Sequence, residues 1–343
     1  MNLHPRKTIR LRTLVGATAV LLAAGTLTAC ASGEGSGDGA TAKTLTIDFA
    51  TYNPLSLVLK EKGWLEKSLA DKNVTVSWIQ SAGSNKANEA LRSGAADIAS
   101  TAGSAALLAR ANSSPIKTID IYSQPEWAAL VTTADSGISK VADLKGKSVA
   151  ATKGTDPYFF LIQSLATAGL TASDISVQNL QHADGWTALA NGSVDAWSGL
   201  DPIMANAETK GAKLFYRNVD FNSYGFLNAT ESFLNDQPET AQIVVNAYEK
   251  ARAWAQANPA ETAGILAKVA GLDDAVARTV IDERSNLDVD PKPGPAERAV
   301  LEKIGPVFVE LGDVSDQQKV DTALDSLLEP KFVEAADPGS ISS

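Results

Sequence analysis

Between residues 45 and 217, short strand-like segments alternate with helix-like ones, and this alternation limits the available folds more than any other feature. Leu45, Ile47 and Phe49 alternate with polar neighbours, as do Val74, Val76 and Trp78, so both segments read as strands. Further strands are expected at 97–101, 117–123, 128–134, 148–152, 175–180, 196–200 and 213–217. Helical stretches lie between them, among them 55–62, 86–93, 105–111, 158–168 and 186–191. A repeated strand–helix–strand order predicts an α/β fold of parallel sheets with helices on their faces. From Pro238 onward the pattern turns wholly helical. Ile243, Val244, Ala247, Tyr248, Ala251, Trp254 and Ala255 make one apolar stripe, and Val300, Leu301, Ile304, Val307, Phe308 and Leu311 another. Each stripe is a single face, so these helices are expected to pack on the first sheet. Pro238-Glu239 and Asn258-Pro259-Ala260-Glu261 carry the start signals of helices.

The first 29 residues belong to a different problem. Arg6, Lys7, Arg10 and Arg12 precede an uncharged run from Leu14 to Ala29, the pattern of a secretory signal peptide. The run is short for a membrane span, which needs ~20 apolar residues. It ends in Leu27-Thr28-Ala29-Cys30, which resembles the bacterial lipobox, so lipidation is expected at Cys30 and a signal peptide over 1–29. A secreted protein with a chance cysteine at the cleavage site is the plainer alternative. Residues 30–43 are rich in Gly and Ser and read as a tether spanning roughly 20 Å. The expected location is therefore extracytoplasmic, on the membrane through the lipid but not in it.

The remaining composition excludes several classes of function. A length of 343 residues suits about two ordinary domains. One Cys forbids an internal disulfide, and with only two His no zinc, haem or iron–sulfur cofactor is expected. The net charge of −10 becomes −14 once the four cations of the signal are removed. That acidity lacks the basic footprint of a nucleic-acid binder. Gly33 to Gly39 is glycine-rich, but it follows no strand and misses the dinucleotide spacing. Gly146-Lys147-Ser148 imitates the end of a P-loop, yet Val141 stands where its first Gly belongs.

Function is legible at the strand-to-helix junctions. In an open parallel sheet, ligands bind beyond the carboxyl ends of the strands. Those junctions read Thr51-Tyr52-Asn53-Pro54, Ser81-Ala82-Gly83-Ser84-Asn85, Thr101-Ala102-Gly103-Ser104 and Lys153-Gly154-Thr155-Asp156-Pro157. Free N–H groups, the macrodipole and a nearby hydroxyl make a helix start favourable to an anion. Any one junction alone is most simply an N-cap; several meeting at one cleft would be a site.

The sequence here resembles the substrate-binding proteins of ABC importers in the aliphatic sulfonate, taurine and nitrate group, over about residues 44–330. The resemblance rests on the start from Ile47 to Trp64, on Glu89-Ala90-Leu91-Arg92-Ser93-Gly94-Ala95-Ala96-Asp97-Ile98 and on Asp135-Ser136-Gly137-Ile138. It continues in Asp143-Leu144-Lys145-Gly146-Lys147 and Ala188-Leu189-Ala190-Asn191-Gly192-Ser193-Val194-Asp195-Ala196-Trp197. It implies a two-lobed type II periplasmic-binding fold with a hinge and an interlobe cleft. One lobe would take 44–130 and 230–330 and the other 131–229, with 331–343 as a C-terminal tail. It further implies a monomer that closes on its ligand and delivers it to an ABC permease and ATPase.

Residue roles follow from the same resemblance. Ser84 and Asn85 would offer hydroxyl and amide donors to an oxyanion, with Gly83 admitting the backbone. Gly103 and Ser104 would do likewise, and Thr155 would donate from the second lobe. Asp156 would meet an amine on the ligand or cap its helix. Tyr52 and Asn53 lie at the first junction. Trp127, Tyr158 and Trp197 would cover an organic tail or pack in the core. Asp201 would accept from ligand or cap the following helix. Trp64, Trp78 and Trp254 read as core.

A neutral donor set suits a weakly basic oxyanion such as an aliphatic or aromatic sulfonate. Nitrate, bicarbonate or a pyrimidine precursor stay open, and so does an extracytoplasmic enzyme or sensor. Relatives on the fold include a desulfinase with a Cys nucleophile and His-dependent proteins of thiamine-pyrimidine synthesis. In this chain Cys30 is taken by the anchor, His182 reads as a solvated loop residue, and Asp273-Asp274 and Asp282-Glu283 read as a cap and a solvated face. No enzymatic activity is expected.

Overall fold

The alternating segments pair into two five-stranded sheets, seen in a computed structural model that describes residues 43–343. The signal segment, Cys30 and the tether up to residue 42 lie outside the described residues. The strands are β1 Lys43–Phe49, β2 Val74–Gln80, β3 Ile98–Ala102, β4 Ile116–Ser123 and β5 Ala128–Thr133. They continue as β6 Ser148–Ala151, β7 Ser176–Asn179, β8 Ala196–Leu200, β9 Ala212–Tyr216 and β10 Gly225–Thr230. The first sheet has the order β2-β1-β3-β10-β4 and the second β7-β6-β8-β5-β9.

The sheets are mixed, where the rhythm of the sequence predicted parallel ones. β10 runs antiparallel to β3 and β4, and β5 antiparallel to β8 and β9. The reason is how the chain crosses between lobes. β4 and β9 end at the cleft, so the strand that follows each must enter its sheet from that end and run the opposite way. Since β5 starts at Ala128 and β10 at Gly225, the crossings occupy 124–127 and 217–224. They lie a few residues before the boundaries expected at 130 and 229.

Helices of the first lobe are α1 Pro54–Lys62, α2 Trp64–Ala70, α3 Ser84–Ser93 and α4 Gly103–Ala111. The second lobe holds α5 Asp156–Thr167, α6 His182–Ala190 and α7 Ile203–Thr209. The C-terminal set is α8 Glu231–Asp236, α9 Pro238–Ala257, α10 Pro259–Ala270 and α11 Asp274–Arg278, then α12 Pro295–Glu310, α13 Gln317–Leu327 and α14 Lys331–Glu334. Local chemistry sets their starts. Asn53 Oδ1 accepts from the amides of Leu55 and Ser56, with Pro54 in the first turn of α1. Asn258 stands at the N-cap position of α10, but its side chain donates backwards to the Trp254 carbonyl at 2.8 Å.

The C-terminal helices pack on the first lobe, α9 against α1 and both α12 and α13 against α4. Residues 331–343 are bound down too: Phe332 and Ile341 are buried. The second lobe buries α5 on nearly every side, including Phe159, Phe160 and Leu161. Its Phe159 ring meets Phe308 of α12 at 4.8 Å, so apolar packing runs across the lobes.

Candidate functional site

The carboxyl ends of the parallel strands from both sheets face one seam, and helices start there from each side. Ser84 Oγ accepts from the Ala102 amide at 2.9 Å, joining the junctions that open α3 and α4. Ser104 Oγ, on α4, donates to Asp156 Oδ1 at the start of α5 across a gap of 2.5 Å. A Cβ built on Gly83 would lie 2.9 Å from His182 Nε2, and one on Gly154 would lie 3.9 Å from Asn85 Cβ. Junctions separated by up to about a hundred residues therefore share one narrow interface.

Asp156 is the polar centre of that interface. Its carboxylate accepts from Ser104 Oγ and Ser223 Oγ at 2.5 and 2.6 Å on one oxygen. The other oxygen accepts from the Ser223 amide at 2.7 Å and the Trp127 indole at 2.8 Å. Trp127 and Ser223 belong to the two crossings, so one side chain ties both lobes to the hinge. Burial raises its pKa above the ordinary carboxylate value, and the four donors oppose that rise. The helix-cap role considered for Asp156 is not what the side chain does, because Thr155 holds the N-cap position and Asp156 points across the lobes.

Beside the hinge lies a narrow crevice with only about 10 Å³ of free space, walled by Thr51, Tyr52, Trp127, Asp201, Arg284 and Ser285. Tyr52 and Trp127 meet edge to face, with ring centres 6.0 Å apart. Arg284 closes the crevice from the C-terminal region, at the end of a π-helical turn over Thr279–Arg284. Its guanidinium reaches both Asp201 oxygens at 3.3 Å and Glu208 at 2.6 Å, while its Nε is buried without a partner. Burial pushes Asp201 up to about 6, against the pull of Arg284.

Several residues expected to face a ligand are engaged within the protein. The hydroxyl of Thr155 donates to the Thr152 carbonyl at 2.6 Å, and that of Ser104 to Asp156, so neither hydrogen is free. Asn53 is a wholly buried cap whose amide reaches the Tyr248 hydroxyl. Gly103 makes room for the Phe226 ring, which a Cβ would approach to 2.9 Å. Trp197 is buried in the second lobe's own core beside Trp186. Tyr158 is buried against Phe159, with the Lys153 ammonium 5.7 Å from its ring centre. Asp201 Oδ1 does cap α7, accepting from Ala205 N at 2.9 Å.

Ser84, Asn85, Gly83, Tyr52 and Trp127 remain at the seam or crevice. Sequence reasoning missed Arg284 and Ser223, whose places depend on distant segments. It also read His182 as solvated. The ring is in fact only 1% exposed, because α6 carries it into the seam.

Comparison with known proteins agrees with this architecture. Residues 55–262 match the family model described as NMT1/THI5 like. A candidate aliphatic sulfonates-binding protein of Bacillus subtilis is 29% identical over 267 residues, covering 76% of this chain and 80% of its own. The periplasmic aliphatic sulphonate binding protein SsuA of Escherichia coli superposes with a TM-score of 0.72 at 26% identity, over 84% of this chain and 92% of that one. The alkanesulfonate-binding protein SsuA of Xanthomonas axonopodis pv. citri, bound to MOPS, gives 0.74 at 23% identity, over 82% and 97%. The chain belongs to the NMT1/THI5-like family and has the two-lobed type II periplasmic-binding fold.

Proposed function

We propose that this chain is the extracytoplasmic solute-binding receptor of an ABC importer, and that its solute is a small organic sulfonate held between the lobes. The observation that carries the reading is the meeting of helix starts from both sheets at one seam. The amides of Ser84 and Asn85 open α3 with no acceptor inside the helix, and the macrodipole there favours an anion. A singly charged, weakly basic head suits such neutral donors. Tyr52 and Trp127, packed edge to face beside the hinge, would meet an organic tail once the lobes part, and a bare nitrate lacks such a tail. The names of the relatives point the same way.

The receptor performs no bond chemistry. Contacts made to both lobes exist only when the lobes are together, so a bound solute favours closure by its differential affinity for that state. The closed form is what a permease and its ATPase would receive. On this reading Cys30 carries the lipid that keeps the receptor at the membrane.

A thermal-shift panel on the mature protein tests the ligand class. A sulfonate at 100 times its dissociation constant adds ~2.7 kcal/mol of stability, a rise of several degrees. Alkane- or arylsulfonates are expected to give it and phosphate is not. A response to nitrate alone would overturn the assignment.

A further inference from the structure

The segment that follows α11 is joined to three parts of the molecule at once. The Leu287 carbonyl accepts from Arg252 and from Gln256, each at 3.1 Å and both on α9 of the first lobe. The carbonyls of Arg284, Asn286 and Pro291 accept from the amides of Glu126, Gln124 and Ile121 at 2.8, 3.1 and 2.9 Å. Residues 284–291 therefore lie along the end of β4 and the first crossing, as a strap bonded through its backbone to the hinge.

The third attachment is electrostatic and reaches the other lobe. Nη1 of Arg284 faces both Asp201 oxygens at 3.3 Å, and Nη2 donates to Glu208 at 2.6 Å. Asp201 follows β8 and Glu208 lies on α7, so both acids belong to the second lobe. Arg284 and Asp201 are buried, while Glu208 is partly exposed. The π-helical turn Thr279–Arg284 delivers the guanidinium there, and α11, just before that turn, packs on α7. A guanidinium is a rigid planar fork, so gripping two acids fixes the angle as well as the distance between the parts that carry them. A different ion pair at the hinge, Arg217 with Glu126, joins one crossing to the other and has no such reach.

We propose that the strap 284–291 is a clasp for lobe closure, with Arg284 as its catch. Asp201 and Glu208 hold the second lobe against the strap before any solute arrives, and opening must pull them from the guanidinium. The lobes are thus joined twice by the chain itself and a third time by charge. A solute that binds the closed state gains apparent affinity in proportion to the closed fraction, so the clasp tunes affinity without touching the solute. The inference goes beyond the receptor reading and is tested with no solute present, so the two can fail separately.

The test is double electron–electron resonance on the unliganded mature protein carrying Cys30→Ser, spin-labelled at Glu89→Cys on α3 and Gln178→Cys on β7. Both positions are exposed, one on each lobe. The native background is expected to give one short class of distances. Glu208→Lys sets a like charge against Arg284 and should raise the ratio of open to closed molecules roughly fivefold or more. Glu208→Gln should raise it less, and it supplies the reading if Glu208→Lys does not fold. Glu302→Lys, the same change of charge on the exposed face of α12, should leave the distances as they are. Distances in both Glu208 variants that match the native ones, or native lobes that already stand apart, overturn the clasp. Equal opening in Glu302→Lys would trace the effect to net charge and overturn it as well.

Discussion

Replacing Asp156 by Ala and by Asn should give very different proteins, and the hydrogen bonds say by how much. One carboxylate oxygen receives the Trp127 indole and the Ser223 amide, groups that can only donate. The other receives the hydroxyls of Ser104 and Ser223, which can turn and accept instead. An Asn side chain fits this pattern with its carbonyl toward Trp127 and its amide toward the two hydroxyls. Every group stays paired, so the cost should be only about 1 kcal/mol. Ala leaves two obligatory donors buried and unanswered at ~1–3 kcal/mol each, and the broken network brings the expected loss to about 4 kcal/mol. Urea unfolding of the three proteins measures this directly, provided the slopes agree. The lobes and both crossings meet at this carboxylate, so Asp156→Ala should also loosen closure, seen as a larger radius in small-angle scattering. Equal losses for Ala and Asn would show that charge, not donor geometry, makes the site. An Ala variant as stable as the native protein would remove Asp156 from the hinge altogether.

Two further outcomes follow from the buried charges. Burial holds His182 near 4 in the fold against an ordinary value of about 6.5, so the unfolded chain holds the proton more tightly. Its contribution is fully present above about pH 6.5 and falls by about 3 kcal/mol as the pH drops to about 4. Asp48, raised to about 7 by burial, acts in the opposite sense, its contribution being lost as the pH rises from 3.8 to 7. The measurement is therefore the stability gap between the native chain and His182→Leu at two pH values, and a gap that does not shrink in acid refutes the assignment. Arg284→Met should cost roughly 3–5 kcal/mol by stranding the buried Asp201. Adding Asp201→Asn should return at least half of that loss, and strict additivity of the two changes would show that they do not interact.

Much of this molecule is legible in local pattern. The strands expected at 196–200 and 117–123 are β8 Ala196–Leu200 and β4 Ile116–Ser123, and in β4 the β-branched Ile116, Thr118, Ile119 and Ile121 carry the signal. The helix starts after Asn53 and Thr155 were legible locally too, through the Asn53 cap and through Pro54 and Pro157 in the first turns of α1 and α5. The direction of β5 and β10 was not. A strand looks the same in sequence whichever way it enters its sheet, and only the crossing of the chain between lobes decides it.

The site divides along the same line. Taken alone, the sequence determined which junctions carry small, donor-rich helix starts, because dihedral preference and capping act on neighbours. Tertiary structure decided which of those donors remain free. Ser104 and Ser223 give theirs to Asp156 over separations of 52 and 67 residues, and Arg284 reaches Asp201 over 83. Such contacts leave no local trace, because their energy comes from burial between segments far apart in the chain. The same burial turned His182 from an unremarkable loop residue into a neutral ring in the seam.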